Sequence, residues 1–408
     1  MNFFRLKTEE FDLKLFACAL LLSLIGMLLI YSAKHASTPG EKGLYLKQLF
    51  WLCLSLIIAA VIFKLPLRLH EIFSYVYYLS AILLLGVVLF IGATRLGATR
   101  WFEFKGYTFQ PSEWAKIATV FALSRYLAYS RRSYKSILWI GTVIVIGIVP
   151  LLLVLKQPDL GTSLVFLALI LSMLYKAKVP LLFILLIFSP MISLVAGFHW
   201  ISWGVFFLFL IYLLYLLRPG FFFSVWVLVL NLGFGILTPL IWNRLHDYQK
   251  LRVLVFLDPN RDPLGAGYQI IQSKVAIGSG GIIGKGFLHG SQTKLAFLPM
   301  QHTDFIFSVV GEEFGLIGSL IFLAIFFYLV FRGLSIASKC RNSFNSNVAF
   351  GLTSIFAFQG IVNLGMAMGL LPVTGVPFPL TSYGGSSLLI SWVSIAILLA
   401  IRYKWIEY

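Results

Sequence analysis

The residues Phe297-Leu298-Pro299-Met300-Gln301-His302-Thr303-Asp304-Phe305-Ile306-Phe307 join the longest polar stretch of the chain to an apolar run extending to about Phe331. Asp304 therefore falls in the first turn of an expected membrane helix, where an ionisable group is costly and is by default a functional candidate. The plainer role is a helix cap, because free N–H groups and the positive dipole end stabilise any Asp placed there. At about 100° per residue, Asp304, Ser308, Gly311, Gly315 and Gly318 share one face. A small, polar stripe of that kind predicts a cavity or a close helix crossing, and Glu312 and Glu313 border it.

A second constellation opens at Gln110-Pro111-Ser112-Glu113. Pro suits the first helical position, and the Glu that follows can reach back to free N–H groups, which needs no chemistry. Lys116, one turn on in an apolar segment, needs a partner or a water-filled cavity, and Glu113 at i,i+3 can supply the partner. The Gln-Pro-acid pattern recurs as Gln157-Pro158-Asp159, while Arg100 and Trp101 sit in the polar stretch 92–110. Carboxylates with one lysine and a nearby arginine beside a lipid-exposed bundle suit an amphiphile with an anionic head and a greasy tail.

The elements that must position these groups follow from composition. Of 408 residues, 60% are hydrophobic and 12% charged, about half the charged fraction of a soluble domain. The apolar segments reach the roughly 20 residues a helix needs to cross a hydrocarbon core, and the repeated short alternating strands of a membrane barrel are absent. The expected fold is all-α, a polytopic transmembrane bundle of about twelve spans in a single domain over 1–408. A long, ordered extracytoplasmic loop covers about 242–304, with glycines and alternating Val, Ile and Gln. Connections of that length are functional or disordered. Leu371 through Ser387 carries three prolines and a glycine pair, which bar a regular helix.

The net charge of +17 does not point to nucleic acid, because the basic residues lie between apolar runs rather than in one patch. They crowd one set of short loops, including Lys64, Arg68, Arg125, Arg131, Lys176, Arg332, Arg341 and Arg402. Positive charge stays inside, so both termini are expected in the cytoplasm, with Asp304, Arg100, Glu113 and Asp159 facing outward. Gly278 through Gly286 fails the phosphate-loop pattern, with Ser279 at its first glycine and Gly286 where Ser or Thr is required. No dinucleotide fingerprint or zinc spacing appears among the 3 cysteines and 6 histidines, so no nucleotide cofactor is expected.

Several segments jointly resemble one family: Thr99-Arg100-Trp101, Gln110 through Glu113 with Lys116, Lys156 through Ser163, Asp258 through Gly290, His302 through Glu313, and Leu371 through Ser387. The chain is similar over nearly its whole length to the SEDS proteins of shape, elongation, division and sporulation. That resemblance implies a peptidoglycan glycosyltransferase of the cytoplasmic membrane that polymerises lipid II for cell elongation and shape. A class B penicillin-binding protein would be the transpeptidase partner. The catalytic residue it implies is Asp304, as general base of an inverting transfer. Implied substrate contacts are Arg100, Trp101, Glu113, Lys116, Asp159, Lys285, His302, Ser386 and Ser387. Positive charge or a divalent cation, Mg or Mn, would serve the leaving pyrophosphate. Two departures stand out: an added apolar pair at about 181–217, and Ala296 where relatives often carry a glutamate ahead of His-Thr-Asp. A lipid-linked sugar flippase is the rival function, since it too needs a membrane cavity and broken helices.

Overall fold

A computed structural model describes residues 11–35, 43–95, 98–104, 107–131, 136–244, 250–251, 254–255, 258, 261–262, 265–294, 297 and 300–403. Ala296 and parts of the 242–304 stretch lie outside the described residues. The apolar runs form α1 Leu13–His35, α2 Leu44–Lys64, the short α3 Leu67–Ile72, α4 Ser74–Ile91, α5 Pro111–Tyr129, α6 Ile137–Lys156, α7 Leu160–Lys176, α8 Leu181–Ala196, α9 Trp200–Leu217 and α10 Phe221–Arg244. The outer stretch contributes α11 Ala266–Ser279 and α12 Ser291–Lys294, before α13 Ile306–Lys339, α14 Ser343–Ala367 and α15 Gly385–Tyr403.

Among the described residues, 9 helices are long and apolar enough to cross a membrane. α7 and α8 are apolar but shorter, at 17 and 16 residues, and α5 carries Glu113 and Lys116. With these three the expected number of spans, about twelve, is present. Helix ends follow local chemistry. Pro111 opens α5, Asp159 caps α7 by accepting from Thr162 N at 3.1 Å, and Asn342 caps α14 by accepting from Asn345 N at 3.1 Å. Each such cap contributes about 1 kcal/mol.

The helical bundle carries one small addition that the sequence did not announce. Three short strands form an antiparallel sheet in the order β1-β2-β3, with β1 Ala93–Arg95, β2 Ala98–Phe104 and β3 Tyr107–Phe109. Ala93 faces Trp101, and Phe102 faces Phe109. Thr, Trp, Phe and Tyr favour the pleat here, and strands this short carry too little periodicity to stand out in a polar loop.

The bundle has a centre and a rim. α14 and α15 bury 72% of their apolar windows, against 11% for α9, and nearly all of α5 from Pro111 to Ser124 is buried. These three helices are therefore central, and α9 is lipid-facing. α8 packs chiefly on α10 through a buried polar network. Asn231 Nδ2 donates to Ser189 Oγ at 2.7 Å, Ser193 Oγ donates to Asn231 O at 2.7 Å, and Trp203 Nε1 donates to Ser193 Oγ at 2.9 Å. In lipid, where hydrophobicity does not drive helix association, such contacts hold helices together.

α13 departs most from a plain span. Its 34 residues would run about 51 Å at 1.5 Å per residue, well beyond a core about 30 Å thick. It breaks at Gly315, whose φ of 65° and ψ of −160° are not helical. The segment 280–286 folds into the break. Leu316 N donates to Gly281 O at 2.9 Å, Ile317 N to Ile282 O at 3.1 Å, Lys285 N to Glu312 O at 3.0 Å and Gly286 N to Glu313 O at 2.9 Å. Backbone groups buried in such a break must be paired. The approach needs glycine, because a Cβ on Gly284 would lie 2.2 Å from Glu313 O, and one on Gly280 would lie 2.0 Å from Gly311 O. The glycine run is thus a packing surface, and the stripe below Asp304 is a close crossing with α11, where Ser273 Oγ and Ser308 Oγ meet at 2.6 Å.

Both ends of the described chain lie at one end of the bundle. Phe11 and Tyr403 flank Phe63, with ring centroids at 5.7 and 5.4 Å, and Asp12 pairs with Arg332 at 2.8 Å. The sheet and the starts of α5, α7, α13 and α15 occupy the opposite end.

Candidate active site at the sheet end of the bundle

Asp304 lies in a turn two residues before α13, whose N-cap is Phe305, with no side-chain cap bond and no acid in its first turn. This corrects the first-turn placement, because Phe305 and not Asp304 terminates the turn. The backbone around Asp304 is clamped at successive carbonyls. Tyr383 N donates to His302 O at 2.9 Å, Ser382 Oγ to Thr303 O at 2.6 Å and Asn363 Nδ2 to Asp304 O at 2.8 Å. Asn363 Nδ2 also donates to Val376 O at 2.8 Å. One fully buried amide thus joins the Asp304 turn to the irregular stretch before α15.

That stretch, 371–384, is non-helical as its prolines require. Gly375 has φ 75°, a left-handed conformation that favours glycine, and a Cβ there would stand 3.7 Å from Asp304 Oδ2. One carboxylate oxygen therefore lies beside the Gly375 turn. Phe378 N donates to Ser382 Oγ at 2.8 Å, and Gln48 holds the far limb, donating to Ser382 O at 3.4 Å and accepting from Gly384 N at 3.3 Å. The rings of His302 and Tyr383 lie 5.7 Å apart, and burial pushes the Tyr383 phenol above its ordinary value.

The second cluster abuts the first through α7. A Cβ on Gly161 would lie 2.4 Å from Thr374 O, so the α7 start touches the turn that faces Asp304. Asp159 caps α7, receives Gln110 Nε2 at 3.3 Å and lies 3.9 Å from Arg100. Arg100 also donates to Gln157 O at 3.0 Å and to Pro158 O, and its guanidinium carbon stands 5.9 Å from the Trp101 ring centroid. Ser386 ties the sheet to α15, donating to Thr108 O at 3.1 Å and accepting from Gln110 N at 3.1 Å. Ser387 is half-buried beside it. Asp304, His302, Asp159, Arg100, Trp101, Ser386 and Ser387 are thereby gathered at one end of the bundle.

Glu113, Lys116 and Lys285 are committed elsewhere. Glu113 does not cap α5; both its oxygens lie on Lys116 Nζ, at 2.9 and 2.8 Å. The pair faces Gln359, Ser391 and Ser394 in a pocket of about 10 Å³, room for about one water. Gln359 lies four residues before Asn363, on the same face of α14, so this pocket sits one turn beneath the Asp304 clamp. Lys285 Nζ donates to Glu312 Oε1 at 2.8 Å and to Ser291 Oγ at 2.7 Å. Fully buried Glu312 also receives Gln292 N at 2.9 Å, Thr293 N at 3.0 Å and Thr293 Oγ1 at 2.7 Å. It latches the outer stretch onto α13, while Glu313 accepts from Ser32. No group of three or more His, Cys, Asp or Glu with metal-holding geometry occurs among the described residues.

Sequence reasoning missed Asn363, Ser382, Gln48 and Gln110. For Gln48 and Asn363 the available signal was an amide inside an apolar segment, which needs a partner in a membrane. It names the residue without naming that partner.

A polytopic helical bundle with a clamped aspartate at one end, a proline-rich irregular stretch and a broken long helix defines the class of the molecule as a multi-pass helical membrane protein with a polar site at one end. The family model FTSW_RODA_SPOVE, cell cycle protein, matches residues 12–205 and 201–405, and the chain belongs to that family. It is 39% identical to peptidoglycan glycosyltransferase MrdB of Escherichia coli (strain K12) over 380 residues, covering 92% of this chain and 90% of that one. Identity to peptidoglycan glycosyltransferase RodA of Treponema pallidum (strain Nichols) is 33% over 427 residues, covering 97% and 98%. A solved chain from "Structural coordination of polymerization and crosslinking by a peptidoglycan synthase complex" superposes with TM-score 0.70 at 29% identity, covering 98% and 99%. The crystal structure of Thermus thermophilus rod shape determining protein RodA shares the fold, with TM-score 0.64 at 24% identity and 98% of each chain covered.

Proposed function

We propose that the chain is a peptidoglycan glycosyltransferase that joins lipid II units into glycan strands, with Asp304 as general base. The observation that carries this reading is the Asp304 turn, clamped at three carbonyls beside the bare Gly375 turn. It fixes a carboxylate at the end of a membrane bundle, where a lipid-linked sugar can reach it. In the reaction the acceptor hydroxyl attacks an anomeric carbon, the bond to lipid pyrophosphate breaks, and the carboxylate takes the hydroxyl proton. Of the implied cations, Lys116 is committed to Glu113, whereas the Arg100 side chain is 25% exposed and is the better placed to meet the pyrophosphate. The described residues form no protein cage for Mg or Mn. A divalent cation would then have to be held largely by the substrate phosphates, the usual manner of Mg.

A class B penicillin-binding protein is the partner we infer, because a relative with this fold was solved in work on coordinated polymerization and crosslinking. We take α8 and α9 to be the added pair of a single domain; the two family-model matches overlap at 201–205, inside α9. Purified protein supplied with labelled lipid II is expected to yield glycan polymer. Translocated monomer without polymer would assign the chain to transport instead.

The sheet end faces outward in this reading, because the basic loops crowd the opposite end. In a cysteine-free background, an impermeant thiol reagent added outside is expected to label cysteines introduced at the exposed positions Ser279 and His289, and to spare one at Ser338. Labelling confined to Ser338 would invert the topology.

A further inference from the structure

At the end of the bundle remote from Asp304, a cavity of about 550 Å³ opens between the α7–α8 turn and the far parts of α13 and α14, within the size range of ligand sites. Its lining joins basic to apolar side chains. Lys176 closes α7, Lys178 stands in the turn after it, and Ser338 is the penultimate residue of α13. Phe350 lies seven residues into α14, roughly 10 Å along its axis, and with Val179 and Leu334 supplies an apolar wall. Lys176 Nζ stands 5.5 Å from the Phe350 ring centroid, so its charge is turned into the cavity. Lys178 adopts φ 63°, uncommon for a residue other than glycine. The turn holds it there, with Lys178 N donating to Tyr175 O at 3.0 Å and Val179 N to Leu174 O at 3.2 Å. Among the described residues, no acidic side chain lines the cavity.

We propose that this groove binds one glycerophospholipid with an anionic phosphate head, drawn from the leaflet that faces the termini. Two ammonium groups match the phosphate, and basic pockets between membrane helices on the cytoplasmic side are known to take such heads. The apolar residues beside them give the acyl chain a surface that a free anion would not use. The site lies opposite the Asp304 cluster and does not rest on the polymerase reading.

The test is native mass spectrometry of the full chain in detergent, titrated with dioleoyl phosphatidylglycerol and, separately, dioleoyl phosphatidylcholine. The wild type is expected to retain phosphatidylglycerol at least tenfold more tightly. At roughly fivefold per lysine, Lys176→Gln with Lys178→Gln should weaken it about 30-fold. Leu334→Trp fills the groove without changing charge and should reduce binding as well, with unaltered melting behaviour confirming that each variant folds. Equal retention of the two lipids, or undiminished phosphatidylglycerol binding in the lysine variant, would overturn the proposal. Loss on removing the lysines but not on filling the groove would place the lipid elsewhere and also overturn it. Displacement by inorganic phosphate alone, or by undecaprenyl pyrophosphate at a tenth of the phosphatidylglycerol concentration, would replace the proposed occupant.

Discussion

Asp304→Asn is expected to slow glycan polymerisation by about 10² to 10⁴-fold, the usual contribution of positioned proton transfer, while melting changes by no more than about 0.5 kcal/mol. The small stability effect follows from how the residue is held. Its turn is fixed through backbone carbonyls by Tyr383 N, Ser382 Oγ and Asn363 Nδ2, and the N-cap is Phe305. Asn keeps the size and the backbone and removes only the basic carboxylate. Lipid II binding, measured separately, should survive. Titration with divalent metal separates two roles for the same group: recovery of rate in excess metal would assign the carboxylate to cation holding, and no recovery leaves it as the base. Polymer formation at the wild-type rate would remove Asp304 from the reaction. A melting loss near 1 kcal/mol with little kinetic effect would return it to the helix-cap role.

Hydropathy made the spans legible because lipid imposes length and apolarity on each segment separately. α8 runs from Leu181 to Ala196, as read from the chain, whereas α13 runs past Phe331 to Lys339. The break at Gly315 was not legible, since a glycine in an apolar run has the same signature whether the helix continues or not. What decides is a distant segment, 280–286, whose backbone fills the gap. The site divides the same way. Asp304 and Arg100 stood out by type and place, but the sequence did not reveal that Lys285 is occupied by Glu312 or that Asn363 holds two carbonyls. Residue type indicates that a buried polar group needs a partner. Tertiary structure selects which one.

Lys116 illustrates that division and carries the second large effect. Its ammonium and the Glu113 carboxylate are nearly fully buried, with side chains 3% and 5% exposed. Lys116→Met leaves the carboxylate without its partner, and breaking a buried pair from one side typically destabilises by about 3 to 5 kcal/mol. Folded yield and melting temperature should fall accordingly. Glu113→Gln combined with Lys116→Met should recover most of that loss, because replacing both members of a buried pair is often close to neutral. The kinetic outcome separates two roles. The sequence favours a lysine lining the substrate cavity, yet the pocket around the pair holds about one water and cannot admit a sugar. It lies one turn below Asn363, so it supports the Asp304 clamp from beneath. The folded double variant should therefore polymerise within about tenfold of the wild type, well above Asp304→Asn. A rate as low as that of Asp304→Asn in a double variant with recovered melting would put Lys116 in contact with substrate and require the pocket to open during the reaction.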